Sequence, residues 1–126
     1  MTTSPQKNRP KPISPQDLVC GAHVIGYVAV DLCDNFFILG SFRAGPDYDG
    51  YQHLFDDLRA RKQDMDQHLS ADDDDKYDLA SDAWMNALDR INDLHLSLRS
   101  RDGTDVRPIR DFQIYDNDRV EFKFDH

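Results

Sequence analysis

The chain has 126 residues, of which 39% are hydrophobic and 31% charged, and its net charge at pH 7 is −9. This length fits one domain with a single core, and the hydrophobic fraction argues against wholesale disorder. A surface this acidic repels phosphate backbones and anionic lipid, so we expect neither direct nucleic-acid binding nor membrane binding. The favoured partner is a basic protein.

The first segment differs from the rest of the chain. Residues 1–16 hold four of the six prolines together with Lys7, Arg9 and Lys11. We predict a flexible, Pro-rich, basic arm followed by one acidic α+β domain over residues 17–126. There is neither the apolar region of a signal peptide nor an apolar run long enough to cross a membrane, which predicts a cytoplasmic protein with two reduced cysteines.

Two β-branched and aromatic segments, residues 23–32 and 36–42, are separated by a short Cys-Asp-Asn sequence. The pattern predicts a β-hairpin. Both strands are apolar on nearly both faces, so the hairpin is either central and covered twice or exposes an apolar face to a partner. In the second case residues 23–42 could pair two copies of the chain as a homodimer.

A helical periodicity begins after Gly50 and ends near Ser70, and a second runs from Lys76 to Arg101. The apolar stripe of the first comprises Tyr51, Leu54, Phe55, Leu58, Met65 and Leu69, and that of the second comprises Tyr77, Ala80, Trp84, Leu88, Ile91, Leu94, His95 and Leu98. The short connection predicts an antiparallel αα-hairpin, with Gly103 as the stop signal beyond the second helix.

The last segment alternates apolar and polar residues on both sides of Asp116-Asn117-Asp118, which predicts a second β-hairpin. The element order is then ββααββ. We therefore predict an α+β fold in which an antiparallel four-stranded sheet carries the αα-hairpin on one face.

The densest charge in the chain is the run Asp72, Asp73, Asp74 and Asp75. With Asp64, Asp66 and Asp78 it places seven carboxylates within fifteen residues, opposed by Lys76 alone. The run predicts either a docking surface for a basic protein, with Tyr48 and Tyr51 as aromatic anchors, or a solvated loop whose last Asp caps the following helix.

Of the 24 acidic residues, 23 are Asp and only Glu121 is Glu. A short carboxylate loses little entropy when its position is fixed, which suits a rigid pattern of negative charge. Compositional bias of the source and a halophilic origin are the alternatives, and the sequence leaves all three open.

Motifs for catalysis and metal binding are weak. Asp47-Tyr48-Asp49-Gly50 lacks the first carboxylate of a calcium loop, and Cys20 and His23 form a C-x-x-H without a second pair. Nucleophile-elbow, phosphate-loop and dinucleotide-binding motifs are absent from the sequence. We expect no metal, no cofactor and no enzymatic activity.

These features together favour a non-enzymatic protein-binding inhibitor. The leading hypothesis is a bacterial immunity protein or antitoxin that neutralises a basic toxin, for example a nuclease. The alternatives are a phage-type nucleic-acid mimic that blocks a defence nuclease or DNA-binding complex, of the anti-CRISPR or anti-restriction class, and an oligomeric adaptor or structural protein.

Overall fold

The computed structural model describes residues 15–33 and 37–125. These residues form six strands and two long helices, with short 3-10 turns at Tyr48–Gly50 and Asp116–Asp118. The elements in chain order are β1 (Gln16–Cys20), β2 (His23–Cys33), β3 (Ile38–Ala44), α1 (Gln52–Ser70), α2 (Asp74–Asn92), β4 (Ser97–Arg99), β5 (Val106–Ile114) and β6 (Arg119–Phe124).

The strands close into an antiparallel barrel in the order β1-β2-β3-β6-β5-β4, and β4 pairs again with β1. The prediction of an open four-stranded sheet was therefore wrong, although the fold is mixed α+β. Both predicted β-hairpins are present, as β2 with β3 and β5 with β6. Two further strands join them into a barrel in which every described strand pairs on both sides.

The two unpredicted strands are the shortest in the barrel. After a turn at Gly21, whose φ of 58° suits a residue without a Cβ, β2 runs back along β1. The sequence pattern places β4 in the second helix, because Ile91, Leu94 and Leu98 fit a helical period. In the structure α2 ends at Asn92, and His95 takes a left-handed conformation that redirects the chain into β4.

The barrel interior is filled by one hydrophobic cluster centred on aromatic rings. Phe112 is fully buried, and its ring centroid lies 5.8 Å from that of Phe55, 5.7 Å from Phe122 and 6.2 Å from Phe42. Phe55 belongs to α1, so the aromatic cluster joins the helical hairpin to the barrel. Such ring pairs add stability beyond the area that they bury.

The helices form the predicted αα-hairpin, but only part of it rests on the barrel. Phe55 and Leu58 of α1 and Ala87 and Ile91 of α2 belong to the barrel cluster. Met65 and Ala80 lie nearer the hairpin connection and are buried outside that cluster. The connecting end of the hairpin therefore contributes no side chain to the barrel cluster.

Some predictions lie at or beyond the limits of the described chain. The arm over residues 1–16 falls outside the described residues except for Pro15 and Gln16, and Gln16 begins β1. The turn predicted between β2 and β3 falls on residues 34–36, which are also outside them. Within the described residues, the chain has no helix that combines the length and the apolar character needed to cross a membrane.

The β4–β5 loop is held by the carboxylate of Asp102. Its Oδ1 accepts hydrogen bonds from Ser100 Oγ at 2.7 Å, Thr104 Oγ1 at 2.7 Å and Thr104 N at 3.0 Å. The backbone N–H of Ser100 donates to Asp105 O at 2.8 Å across the same loop. The hydrogen bonds to the Asp102 carboxylate lower its pKa from 3.8 to about 2, and the bond from the Ser100 hydroxyl is the largest cause.

We predict that Phe112→Ala lowers the free energy of unfolding by about 3–5 kcal/mol, because it opens a cavity where four aromatic rings meet. Urea denaturation measures the change. Leu79→Ala is the control: Leu79 is 72% exposed, so its truncation changes stability by about 0.5 kcal/mol or less. Equal losses for the two variants would contradict the packing described above.

A second prediction concerns the pH dependence of stability through Asp102. The lowered pKa of Asp102 means that its contribution to stability is complete above the ordinary value of 3.8 and is lost as the pH falls through about 2. Ser100→Ala removes the largest cause, so we expect the Asp102 pKa to rise towards 3.8 in a carboxyl NMR titration. Ser70→Ala, on α1, serves as control and leaves the Asp102 titration unchanged.

Candidate functional site

The connecting end of the helical hairpin carries most of the unbalanced charge of the described chain. We call residues 64–82 the acidic tip. It contains eight aspartates and one lysine, spread over the end of α1, the connection and the first turns of α2. It includes all six aspartates that the sequence singled out as partner-binding residues.

Two of these aspartates also have local structural roles in the connection. Asp73 is the N-cap of α2, and its carboxylate accepts a hydrogen bond from the backbone N–H of Lys76 at 3.2 Å. Asp72 has a φ of 56°, a left-handed conformation that Asp tolerates better than most residues. Asp74 and Asp75 lie in the first turn of α2, where negative charge favours the helix dipole.

Part of the charge of the tip is compensated. Asp66 pairs with Lys62 at 3.1 Å, and Asp64 Oδ1 lies 3.2 Å from His68 Nε2, a pair that is ionic only when the histidine is protonated. Asp73 Oδ2 and Lys76 Nζ are 3.9 Å apart. For the other five aspartates, no cationic side chain of the described residues lies within 4.0 Å; they are Asp72, Asp74, Asp75, Asp78 and Asp82.

Large apolar side chains accompany these carboxylates. Leu69, in the last turn of α1, is 63% exposed, and Leu79, in the second turn of α2, is 72% exposed. The prediction that Leu69 belongs to the apolar core stripe was wrong, because the end of α1 has left the barrel. Sequence reasoning missed Leu79 as a surface residue, although Leu79 lies outside the apolar stripe of α2 and this position predicts exposure. Exposed leucines among carboxylates provide apolar contacts at the centre of a charged surface.

The predicted anchors Tyr48 and Tyr51 lie at the opposite end of α1. A helix of 19 residues is roughly 28 Å long, so neither tyrosine shares a contact patch with the acidic tip. Tyr48 stacks on Phe55, with ring centroids 6.2 Å apart, and burial followed by the charge of Asp56 raises its phenol pKa. Both tyrosines pack against the barrel cluster.

The turn that holds these tyrosines is fastened to β2. The carboxylate of Asp47 accepts a hydrogen bond from Val24 N at 2.9 Å. Cys20 and His23 are each engaged nearby: Cys20 Sγ donates to Leu94 O at 3.3 Å, and His23 Nδ1 lies 2.6 Å from the Tyr51 hydroxyl. In the part of the chain that the structure describes, no three His, Cys, Asp or Glu side chains are grouped to hold a metal ion.

Comparisons with protein-family models, with curated proteins and with solved structures found no match. The chemistry of the surface therefore carries the functional argument.

We predict that the capping and surface roles of the acidic run separate in stability measurements. Asp73→Ala removes the cap and lowers the free energy of unfolding by about 1 kcal/mol. Asp78→Ala is the matched control, since that exposed aspartate makes no cap, and it changes stability by about 0.5 kcal/mol or less. Chemical denaturation measures both; equal effects would contradict the capping role of Asp73.

Proposed function

We propose that this chain is a non-enzymatic inhibitor that binds a basic protein through its acidic tip, and that it acts in the cytoplasm as an immunity protein or antitoxin against a toxin such as a nuclease. The observation that carries the proposal is the group of five aspartates without cationic partners among the described residues, placed at the end of the hairpin that contributes no side chain to the barrel cluster.

Electrostatics supports this use of the tip. Neighbouring carboxylates within one Debye length, about 8 Å at physiological ionic strength, add their fields at the surface. A concentrated negative field steers a basic partner into contact and raises the association rate by about 10-fold to 10³-fold. Fast association is useful for an inhibitor that has to reach a toxin before the toxin reaches its target.

The leucines support affinity. Long-range charge mainly sets the association rate, whereas complexes dissociate slowly when apolar side chains are buried at the centre of the contact. Leu69 and Leu79 are available for that purpose, and the two helices hold them on a backbone that is already ordered, which lowers the entropy cost of binding.

The decisive variant neutralises the tip without removing the Asp73 cap. We predict that Asp72→Asn, Asp74→Asn and Asp75→Asn together weaken binding to the basic partner at least about tenfold at low salt, because steering and contact charge are both lost. The wild-type chain is used as bait in its native lysate, and the inhibition of the recovered protein's toxic or nuclease activity is then measured in purified form.

The matched control carries Asp49→Asn, Asp93→Asn and Asp125→Asn, which change the net charge equally but lie away from the tip. We expect this variant to bind and inhibit like the wild type. Equal loss in both variants, or a recovered protein that stays active when bound, would contradict the proposal. Displacement by DNA in competition would instead favour the nucleic-acid mimic, and a concentration-dependent mass without a partner would favour the adaptor.

A further inference from the structure

A second charged feature lies on the barrel, away from the helices. Nine of the twelve described lysines and arginines have a carboxylate within 4.0 Å, as expected in a chain with 24 acidic residues. Among the described lysines and arginines the exceptions are Arg43, Arg101 and Arg107. Two of these three meet at one tyrosine: the guanidinium carbon of Arg43 lies 5.0 Å from the centroid of the Tyr27 ring, and that of Arg101 lies 5.4 Å from it.

Strand pairing places these residues on the outer face of the barrel. Tyr27 lies opposite Arg43 between β2 and β3, and Ala29 lies opposite Ser41 two positions further on the same face. The small Ala29–Ser41 pair leaves a depression beside the tall Tyr27–Arg43 pair. The result is the Tyr27 pocket, of about 290 Å³, lined by Pro15, Tyr27, Ala29, Ser41, Phe42, Arg43 and Arg101.

Arg101 approaches the same pocket from the β4–β5 loop. Its Nε donates to the backbone oxygen of Pro15 at 3.3 Å, which leaves its terminal nitrogens available. The loop is ordered by the hydrogen bonds that Asp102 accepts, so Arg101 is held in place on a closed turn. Asp17 on β1 lies opposite Tyr27 in the strand register, and its carboxylate forms an ion pair with Arg99 at 3.0 Å.

Two guanidiniums that line one pocket favour an anionic ligand there. A cation–π contact with Tyr27 is not a hydrogen bond, so it leaves guanidinium N–H groups available to donate. No carboxylate of the described residues lies within 4.0 Å of either guanidinium, and Asp17, the acidic residue opposite Tyr27, is paired with Arg99. An anion in the pocket that both arginines line is positioned to accept charge-assisted hydrogen bonds from their guanidiniums.

We infer that the Tyr27 pocket binds a phosphate group. Phosphate carries about 1.5 to 2 negative charges at neutral pH, which suits two guanidiniums, whereas a single carboxylate leaves one of them uncompensated. Ser41 adds a hydroxyl donor on the floor of the pocket, and Pro15 and Ala29 provide an apolar wall against which the alcohol portion of a phosphate ester packs. The pocket and the acidic tip use different residues, so this inference is independent of the proposed inhibitor function.

The test is an NMR titration of the full chain with inorganic phosphate at pH 7.5, with ionic strength held constant by sodium chloride. We expect saturable shifts of the backbone amides around Ser41 and Arg43, with a dissociation constant of about 1 mM or below. Arg43→Gln and Arg101→Gln each weaken binding at least about tenfold, because each removes charge-assisted hydrogen bonds to the anion. They lie on different elements, so misfolding of one variant leaves the other informative.

Arg107→Gln is the matched control. Arg107 also stacks on an aromatic ring, that of Phe124 at 3.5 Å, but it has no second arginine beside it, and we expect its loss to leave phosphate binding unchanged. Glycerol 3-phosphate forms a parallel arm: tighter binding than inorganic phosphate identifies an ester as the ligand, and equal binding identifies free phosphate. Absence of saturable shifts, equal weakening by Arg107→Gln, or equal binding of acetate would overturn the inference.

Discussion

The pairing of β4 with β1 is the constraint on which the rest of the molecule depends. Three residues, Ser97–Arg99, pair with β1 on one side and β5 on the other and so convert a curved sheet into a closed barrel. Leu98 points into the core and is 1% exposed, while Arg99 pairs outside with Asp17. Because β4 begins at Ser97, α2 has to end before it, and the loop after β4 brings Arg101 to Tyr27. One short strand thus sets the length of the second helix and the position of the Tyr27 pocket.

The preference for Asp over Glu has a structural component. Asp47, Asp73 and Asp102 accept hydrogen bonds from backbone N–H groups close to their own main chain, which a longer side chain does not reach in the same geometry. Asp72 and Asp111 take left-handed backbone conformations that short polar residues tolerate. Part of the aspartate content therefore shapes turns and caps. The unpaired aspartates of the acidic tip have no such contact in the described structure beyond the turn at Asp72, and their effect is on the surface.

The charge of the folded chain is divided between two places. At the acidic tip, eight aspartates are concentrated at the connecting end of the helical hairpin, and among the described lysines and arginines only Lys62 and Lys76 pair with any of them. At the Tyr27 pocket, Arg43 and Arg101 converge while the nearby Asp17 is already paired. A protein of uniform acidity would show neither feature. The net charge therefore describes the average of two surfaces with opposite preferences.

The sequence by itself determined the acidity, both β-hairpins and the helical hairpin with Asp72–Asp75 at its connection, because these follow from composition and from contacts between residues close in the chain. Barrel closure needed the tertiary structure, because β1 and β4 are too short to show a period and Leu98 fits a helical period as well as a strand. The exposure of Leu69 and the distance between Tyr48 and the acidic tip also depend on the tertiary structure. Helical periodicity shows which residues lie on the same face of a helix, but it does not show where along the helix that face stops contacting the core. The meeting of two arginines at one tyrosine depends on pairing between strands distant in the chain, and no local pattern encodes it.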